Sequence, residues 1–183
     1  MKRTNQGSRV DETGFIKLAP YFIYVMMAAF VIAAVVFGEL LDAYDAFWWW
    51  DDMLHGVSGV LFAFIGLGVL YGMNRHRELR LSPQTTAVFV ACFALSMGVA
   101  WEIYEFVMDV TIKATMQQWN MGPNAIVMGK EYQGMGLRDT MSDLIMATIG
   151  ALITAVFTFV ACWRNEPLVR RIMRMSFPLI AKK

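Results

Sequence analysis

Four uncharged runs constrain the fold of this chain more than any other feature. Each is 19 to 21 residues long and lacks Asp, Glu, Lys, Arg and His: Leu18–Gly38, Gly56–Asn74, Leu81–Trp101 and Leu144–Trp163. A helix needs about 20 residues to cross the roughly 30 Å of hydrocarbon in a bilayer. The chain is also only 17% charged, which is low for a soluble domain. The sequence therefore predicts an all-α integral membrane bundle of four transmembrane helices.

The distribution of Lys and Arg predicts the orientation of these spans. The N-terminal segment, the second loop and the C-terminal tail hold 13 of the 16 basic residues. By the positive-inside rule, both termini and the second loop are cytoplasmic, and the other two loops lie outside. The predicted organisation is a cytoplasmic segment (1–14), a membrane domain (15–163) with a long outer loop (110–138), and a basic cytoplasmic tail (164–183).

A stripe of carboxylates follows the third uncharged run. Glu102, Glu105 and Asp109 stand at i, i+3 and i+7, which places them within roughly 60° of one helix face. Each carboxylate costs roughly 2.5–3.5 kcal/mol at the bilayer centre and less toward its edge. Some partner must therefore face this stripe.

Three spans combine a ridge of small residues with ionisable groups at the predicted outer end. Small residues at three- or four-residue steps follow His55 in the second span, lead up to Glu102 in the third and follow Asp143 in the fourth. Such ridges let helices approach closely, so we expect the ionisable ends to meet. The ridges are Gly59 and Ala63; Ala87, Ala91, Ala94 and Gly98; and Ala147, Ala151 and Ala155. The predicted site residues are Asp51, His55, Glu102, Glu105, Asp109, Asp139 and Asp143.

This set contains one imidazole and many carboxylates, with only Lys113, Lys130 and Arg138 as nearby cations. Carboxylate-rich sites suit Mg²⁺, Mn²⁺ or Ca²⁺, and a His ligand also admits Zn²⁺ or iron. We therefore favour a divalent metal (Mg, Mn, Zn or Fe) as the counter-charge. Two alternatives stay open: a metal-free site for proton transfer or substrate binding, and acids that serve only as helix caps or in structural pairs.

The motifs of the second to fourth spans resemble a known family. They are Asp51-x-x-x-His55-x-x-x-Gly59, Glu102-x-x-Glu105 and Asp139-Thr-x-Ser-Asp143. Over residues 50 to 151 the chain resembles the YjdF-like family of small bacterial inner-membrane proteins. It is more distantly similar to VanZ-like proteins linked to glycopeptide-antibiotic resistance. Asp52 stands where the YjdF-like motif has Lys, and Ala147 where VanZ-like proteins have Asn. The resemblance implies a multi-pass protein of the bacterial inner (plasma) membrane with a polar outer site, and it supplies no reaction.

Two classes of function fit these features. The first is a metal-dependent enzyme acting on a lipid or lipid-linked substrate at the outer leaflet, with His55 and Glu105 as catalytic residues and the long outer loop as a lid. The favoured interpretation of the aromatic run at 47–50 is an aromatic belt at the headgroup level; in such an enzyme the same rings would hold an acyl chain or a lipid headgroup beside the acids. The second is a non-catalytic membrane protein whose cluster binds a cation or fixes helix packing. A transporter is disfavoured, because no polar route continues toward the cytoplasmic side. We expect membrane lipids as partners, leave a homo-oligomer open and expect no nucleic acid.

Overall fold

The computed structural model describes residues 23–77, 81–118 and 134–176, and these ranges contain helices and short connections without a strand. The helices are α1 (Ile23–Leu40), α2 (Ala43–Ala46), α3 (Trp50–Arg77), α4 (Pro83–Ile112) and α5 (Met135–Ser176). All except the single-turn α2 are long and apolar enough to cross a membrane. The prediction of a helical protein with four helices long and apolar enough to span a membrane is thus confirmed for the described residues, and the cytoplasmic placement of both termini stays a prediction. The predicted segment 1–14 lies outside the described residues.

The centre of the protein is the three-helix group α3, α4 and α5. The most extensive packing joins α3 to α5, followed by α4 to α5 and α3 to α4. Small and β-branched side chains fill this interior: Ala63, Val90 and Ala151 have no exposed surface. The second half of α1, Ile32–Leu40, is π-helical. Because α1 is largely exposed and contacts the group only lightly, it contributes little to the interior.

The small-residue ridges are used for contacts between helices of one chain. A Cβ added to Gly59 on α3 would collide with the backbone carbonyl of Ala147 on α5, and a Cβ added to Gly150 would collide with the carbonyl of Gly56. These reciprocal contacts place the two backbones against each other, as small residues permit in membrane helices. Gly98 of α4 faces the same level, because its added Cβ would lie 3.7 Å from the Cβ of Ala147.

The helix ends differ from the predicted loop bounds. Ser82 caps α4 by accepting a hydrogen bond from the Thr85 backbone N–H at 3.1 Å, with Pro83 as the first helical residue. This helix continues to Ile112 and α5 begins at Met135, so the described connection is shorter than the predicted loop 110–138. Residues 119–133 lie outside the description, and the lid function assigned to this loop stays a prediction.

The first part of the predicted tail, as far as Ser176, continues the last span as helix. With 42 residues, α5 is about 63 Å long at 1.5 Å per residue, which exceeds the hydrocarbon thickness of about 30 Å. Met173 in its extension is only 2% exposed and belongs to the same apolar cluster as Leu67 and Tyr71 of α3. At least this residue of the tail is therefore part of the helical bundle, because α3 offers it an apolar surface.

Candidate metal centre

The ionisable site lies one helical turn from the place where small residues of three helices pack together. Gly59 and Gly98 both lie against Ala147. His55 precedes Gly59 by four residues, Glu102 follows Gly98 by four, and Asp143 precedes Ala147 by four. Residues four apart lie on the same helix face. A layer of ionisable side chains therefore lies one helical turn from the layer of close backbone contact.

His55 lies between carboxylates from all three helices. Its Nε2 atom is 3.6 Å from Asp51 Oδ1 and 3.9 Å from Asp143 Oδ1, and its Nδ1 atom is 3.7 Å from Glu102 Oε1. The ring is buried, at 8% exposure for the residue. These separations are too long for hydrogen bonds. The two distances at Nε2 lie close to the roughly 3.0–3.6 Å expected between two ligands that share one ion at bonds of about 2.1 Å.

Two overlapping sets of ligand atoms occur in the cluster. In one set, Asp51, His55 and Asp143 each offer an atom within 4.8 Å of the others. In the second set, Glu102, Glu105 and Asp143 do the same. Opposite ligands of one ion are about 4.4 Å apart at bonds of about 2.2 Å. Each set can thus surround a cation after small side-chain movements.

Several buried carboxylate oxygens in this cluster lack a hydrogen-bond partner among the described residues. They are both oxygens of Glu102, Oε2 of Glu105 and Oδ2 of Asp143. The Thr140 hydroxyl lies beside Glu102 but outside hydrogen-bond geometry. Glu102, Glu105 and Asp143 are only 6%, 5% and 1% exposed. Buried polar groups are normally satisfied, so these oxygens need a proton, a water or a cation.

The two remaining predicted residues have different surroundings. Both carboxylate oxygens of Asp109 accept backbone hydrogen bonds, Oδ1 from Met116 N–H at 2.8 Å and Oδ2 from Gln117 N–H at 3.0 Å. Asp109 therefore holds the chain after α4 and does not join either ligand set. Asp139 is also outside both sets, but it is half-buried, has an unpaired Oδ2 within the described part of the chain and lies at the mouth of the cluster.

Several polar contacts around the cluster were not predicted from the sequence. Gln118 donates from Nε2 to Asp51 Oδ2 at 2.8 Å, and the Ser142 hydroxyl donates to Asp52 Oδ1 at 2.5 Å. Trp101 donates from Nε1 to Glu105 Oε1 at 2.7 Å. The spacing of Trp101 and Glu105 at i, i+4 is a signal that could have predicted their bond. Gln118 has no such signal, because the chain reversal after α4 brings it there.

A cavity of about 380 Å³ opens beside the first ligand set. Its volume lies within the about 300–1,000 Å³ typical of ligand pockets. Its lining combines acids with one cation and an aromatic ring: Trp48, Asp51, Asp52, Gln118, Arg138, Asp139, Ser142 and Asp143.

Tyr44, in the connection before α3, is near the same acids. Burial and then the Asp51 carboxylate raise the pKa of its phenol, which stays protonated at neutral pH.

Comparisons with known proteins are consistent with a membrane protein. An uncharacterized protein of Thermotoga maritima is 24% identical over 135 residues, which are 74% of this chain and 60% of the relative. The chain thus spans less than two thirds of that relative's length. No solved structure matches the chain. The model of the family described as "Predicted membrane protein (DUF2238)" matches residues 16–164. The match covers all four membrane-spanning helices and the ionisable cluster, and the chain therefore belongs to the DUF2238 family of predicted membrane proteins.

Proposed function

We propose that the protein is a divalent-cation-dependent membrane enzyme that acts on a lipid or lipid-linked substrate at the outer leaflet of the bacterial inner membrane. The observation that carries this proposal is a group of buried carboxylates around one imidazole beside an open cavity, several of whose oxygens have no hydrogen-bond partner among the described residues. The resemblance to the YjdF-like family is part of what supports this proposal. Three residues of its motifs, Asp51, His55 and Asp143, form one of the ligand sets.

The charge of the cluster supports a cation. Glu102, Glu105 and Asp143 approach one another away from bulk water, and the partly exposed Asp51 approaches Asp143. Like charges in such a place repel strongly unless they are protonated or neutralised. We propose Mg²⁺, Mn²⁺, Zn²⁺ or iron as the counter-charge, since carboxylates with one imidazole suit these ions. Asp109 is left out of the ligands, because its oxygens already accept backbone hydrogen bonds.

The position of the cavity supports a substrate that reaches the site from the membrane surface. The cluster lies at the end of the apolar parts of α3, α4 and α5. Phe47, Trp48 and Trp49 are exposed next to it, and aromatic rings of this kind sit at headgroup level. A bound divalent cation would supply an activated water and a positive charge opposite the reacting group. We expect activity to depend on His55 and Glu105, which would hold the ion.

The alternative is a non-catalytic membrane protein in which the same cluster binds a cation or fixes helix packing. One observation favours it: the close contacts at Gly59 and Gly150 place the cluster in a tightly packed part of the bundle. A cation there would link three helices, as ligand binding to the folded state stabilises a protein. Only the enzyme would convert a lipid into a product, so an assay of lipid turnover distinguishes the two functions.

The experiment is elemental analysis and lipid turnover with detergent-purified protein. We expect wild type and the exposed-loop control Asp45→Asn to retain a divalent metal, and Glu105→Ala to lose most of it. The same proteins are then placed in vesicles of bacterial lipid extract with Mn²⁺, and the lipids are followed by mass spectrometry. A species consumed by wild type but not by His55→Ala supports the enzyme. Metal without lipid turnover favours the alternative, and absence of metal from wild type contradicts both cation-based functions.

A further inference from the structure

We propose that the cluster binds two divalent cations and that Asp143 bridges them. The first cation would lie among Asp51, His55 and Asp143, and the second among Glu102, Glu105 and Asp143. This inference rests on the proposed function, because it divides the same site into two halves and assigns a different role to each carboxylate.

The separation of the ligand atoms favours two positions over one. Within each half the ligand atoms lie within 4.8 Å of one another, but the described residues do not supply one such set containing all five side chains. A single ion needs all of its ligands within about 4.4 Å, twice a bond of about 2.2 Å. One ion would therefore leave part of the cluster unused, whereas two ions use all of it.

Asp143 is the residue that the two ligand sets share. Its Oδ1 lies 3.9 Å from His55 Nε2, while Oδ2 is buried without a hydrogen-bond partner in the described part of the protein. Asp143 itself is 1% exposed, so bulk water does not reach its unpaired oxygen. A carboxylate common to both halves can link two ions that are about 3.5–4 Å apart, as in two-metal sites.

The unpaired oxygens of the second half give an independent reason for the second ion. Glu102 is 6% exposed with neither oxygen paired, and Glu105 is 5% exposed with Oε2 unpaired, as far as the described residues extend. An ion held only by the His55 half would leave these oxygens unsatisfied. The formal charge also agrees, because four carboxylates across the two halves balance two divalent cations and leave His55 neutral.

The two halves differ in chemistry. An imidazole in the first half accepts Zn²⁺ or iron as well as Mn²⁺, while the second half offers oxygen ligands alone, which suit Mg²⁺ or Mn²⁺. Mn²⁺ is therefore the probe that both halves accept. Because its spin couples to a second Mn²⁺ at bridging distance, it also reports whether the ions share a ligand.

The experiment is Mn²⁺ titration of the full-length protein in detergent after treatment with a chelator. Bound metal is counted by elemental analysis, and spin coupling is measured by electron paramagnetic resonance. We expect two Mn²⁺ per chain with a coupled signal in wild type and in the exposed-loop control Asp45→Asn. We expect Asp51→Asn and Glu105→Gln each to keep one uncoupled Mn²⁺, from opposite halves, and Asp143→Asn to lose the coupled signal.

The possible failures are distinguishable from each other. One uncoupled Mn²⁺ per wild-type chain would overturn the bridged pair and leave the proposed function standing. No Mn²⁺ in wild type would overturn both. Thermal melting of each variant reports folding, and if Asp143→Asn does not fold, the wild-type stoichiometry and the two single-half variants still decide. Loss of both ions in Asp51→Asn and in Glu105→Gln alike, in folded protein, would also contradict two separate halves.

Discussion

The apolar interior of the α3–α4–α5 group and its ionisable end both contain fully buried residues. They differ in whether those buried groups find partners within the chain. Ala63 and Ala151 have no exposed surface, and Asp143 at the end of the same helices is only 1% exposed. The apolar interior is satisfied by contacts within the chain. The ionisable end has buried oxygens without partners among the residues described here. One packing scheme therefore produces both regions, but only the second contains buried oxygens that need a proton, a water or a cation.

The largest expected effect comes from disturbing the layer that joins the two regions. A methyl group at residue 59 would collide with the Ala147 backbone, and relief requires α3 and α5 to move apart. We expect Gly59→Ala to destabilise the protein by about 1–3 kcal/mol, the usual cost of overpacking, and to reduce cation binding because His55 and Asp143 separate. Thermal melting in detergent and Mn²⁺ titration measure the two effects.

Gly98→Ala is the matched control for this substitution. It makes the same change at the same level of the bundle, but the added Cβ meets only an ordinary contact at 3.7 Å. Replacing a helical glycine by alanine stabilises by roughly 0.5–1 kcal/mol in the absence of strain, so this variant should be as stable as wild type or slightly more stable. Equal melting temperatures for the two variants would show that the close α3–α5 contact does not determine stability.

A smaller effect is expected from removing one charge in the ionisable end. Without added cation, Glu102→Gln should raise the free energy of unfolding by about 1 kcal/mol or more, because one repulsive charge is lost from a buried cluster. With saturating Mn²⁺ the order should reverse. A ligand at a hundredfold excess over its Kd stabilises by about 2.7 kcal/mol, and the variant should receive only part of this stabilisation.

Melting curves with and without Mn²⁺ measure this difference. A lower stability of Glu102→Gln in both conditions would instead assign Glu102 to structural pairing. The Asp45→Asn protein is the control, since Asp45 is exposed on α2 and loses a charge outside the cluster.

The smallest effect on cation binding is expected at Asp109, which belongs to neither ligand set. Asp109→Ala removes the acceptor for the N–H groups of Met116 and Gln117 and should cost about 1–3 kcal/mol, the usual net contribution of two hydrogen bonds. Because this side chain lies outside both ligand sets, the Mn²⁺ stoichiometry should not change. A lost ion in folded Asp109→Ala would place this residue among the ligands and weaken the separation between structural and ionisable carboxylates.

The sequence was sufficient to predict the fold because hydrocarbon thickness sets the length of a span. It also related Gly59 to His55 and Ala147 to Asp143, since residues four apart share a helix face. The surroundings of Asp109 were not predictable in this way. They depend on the turn after α4, where Lys113 adopts a left-handed backbone with φ 57° and Gln118 one with φ 45°. Neither residue type signals such a conformation, and tertiary contacts decide it.

The extent of α5 was missed for a related reason. Charged residues after Trp163 end the hydropathy signal of the span, but a helix can continue beyond the bilayer where an apolar surface receives it. Met173 finds such a surface against α3. The two overlapping ligand sets that share Asp143 were likewise beyond the sequence, because spacing along a helix gives the face of a side chain and not its distance to side chains of other helices.

The backbone contact of Gly59 with Ala147 has a consequence for ion selectivity. Helices in direct backbone contact cannot slide or separate to suit a larger guest without losing that contact. The coordination shell beside this layer would therefore have a nearly fixed radius. Ca²⁺ takes more ligands at 2.3–2.6 Å, whereas Mg²⁺ needs about 2.0–2.1 Å, so a rigid spacing of the spans would discriminate between cations by size.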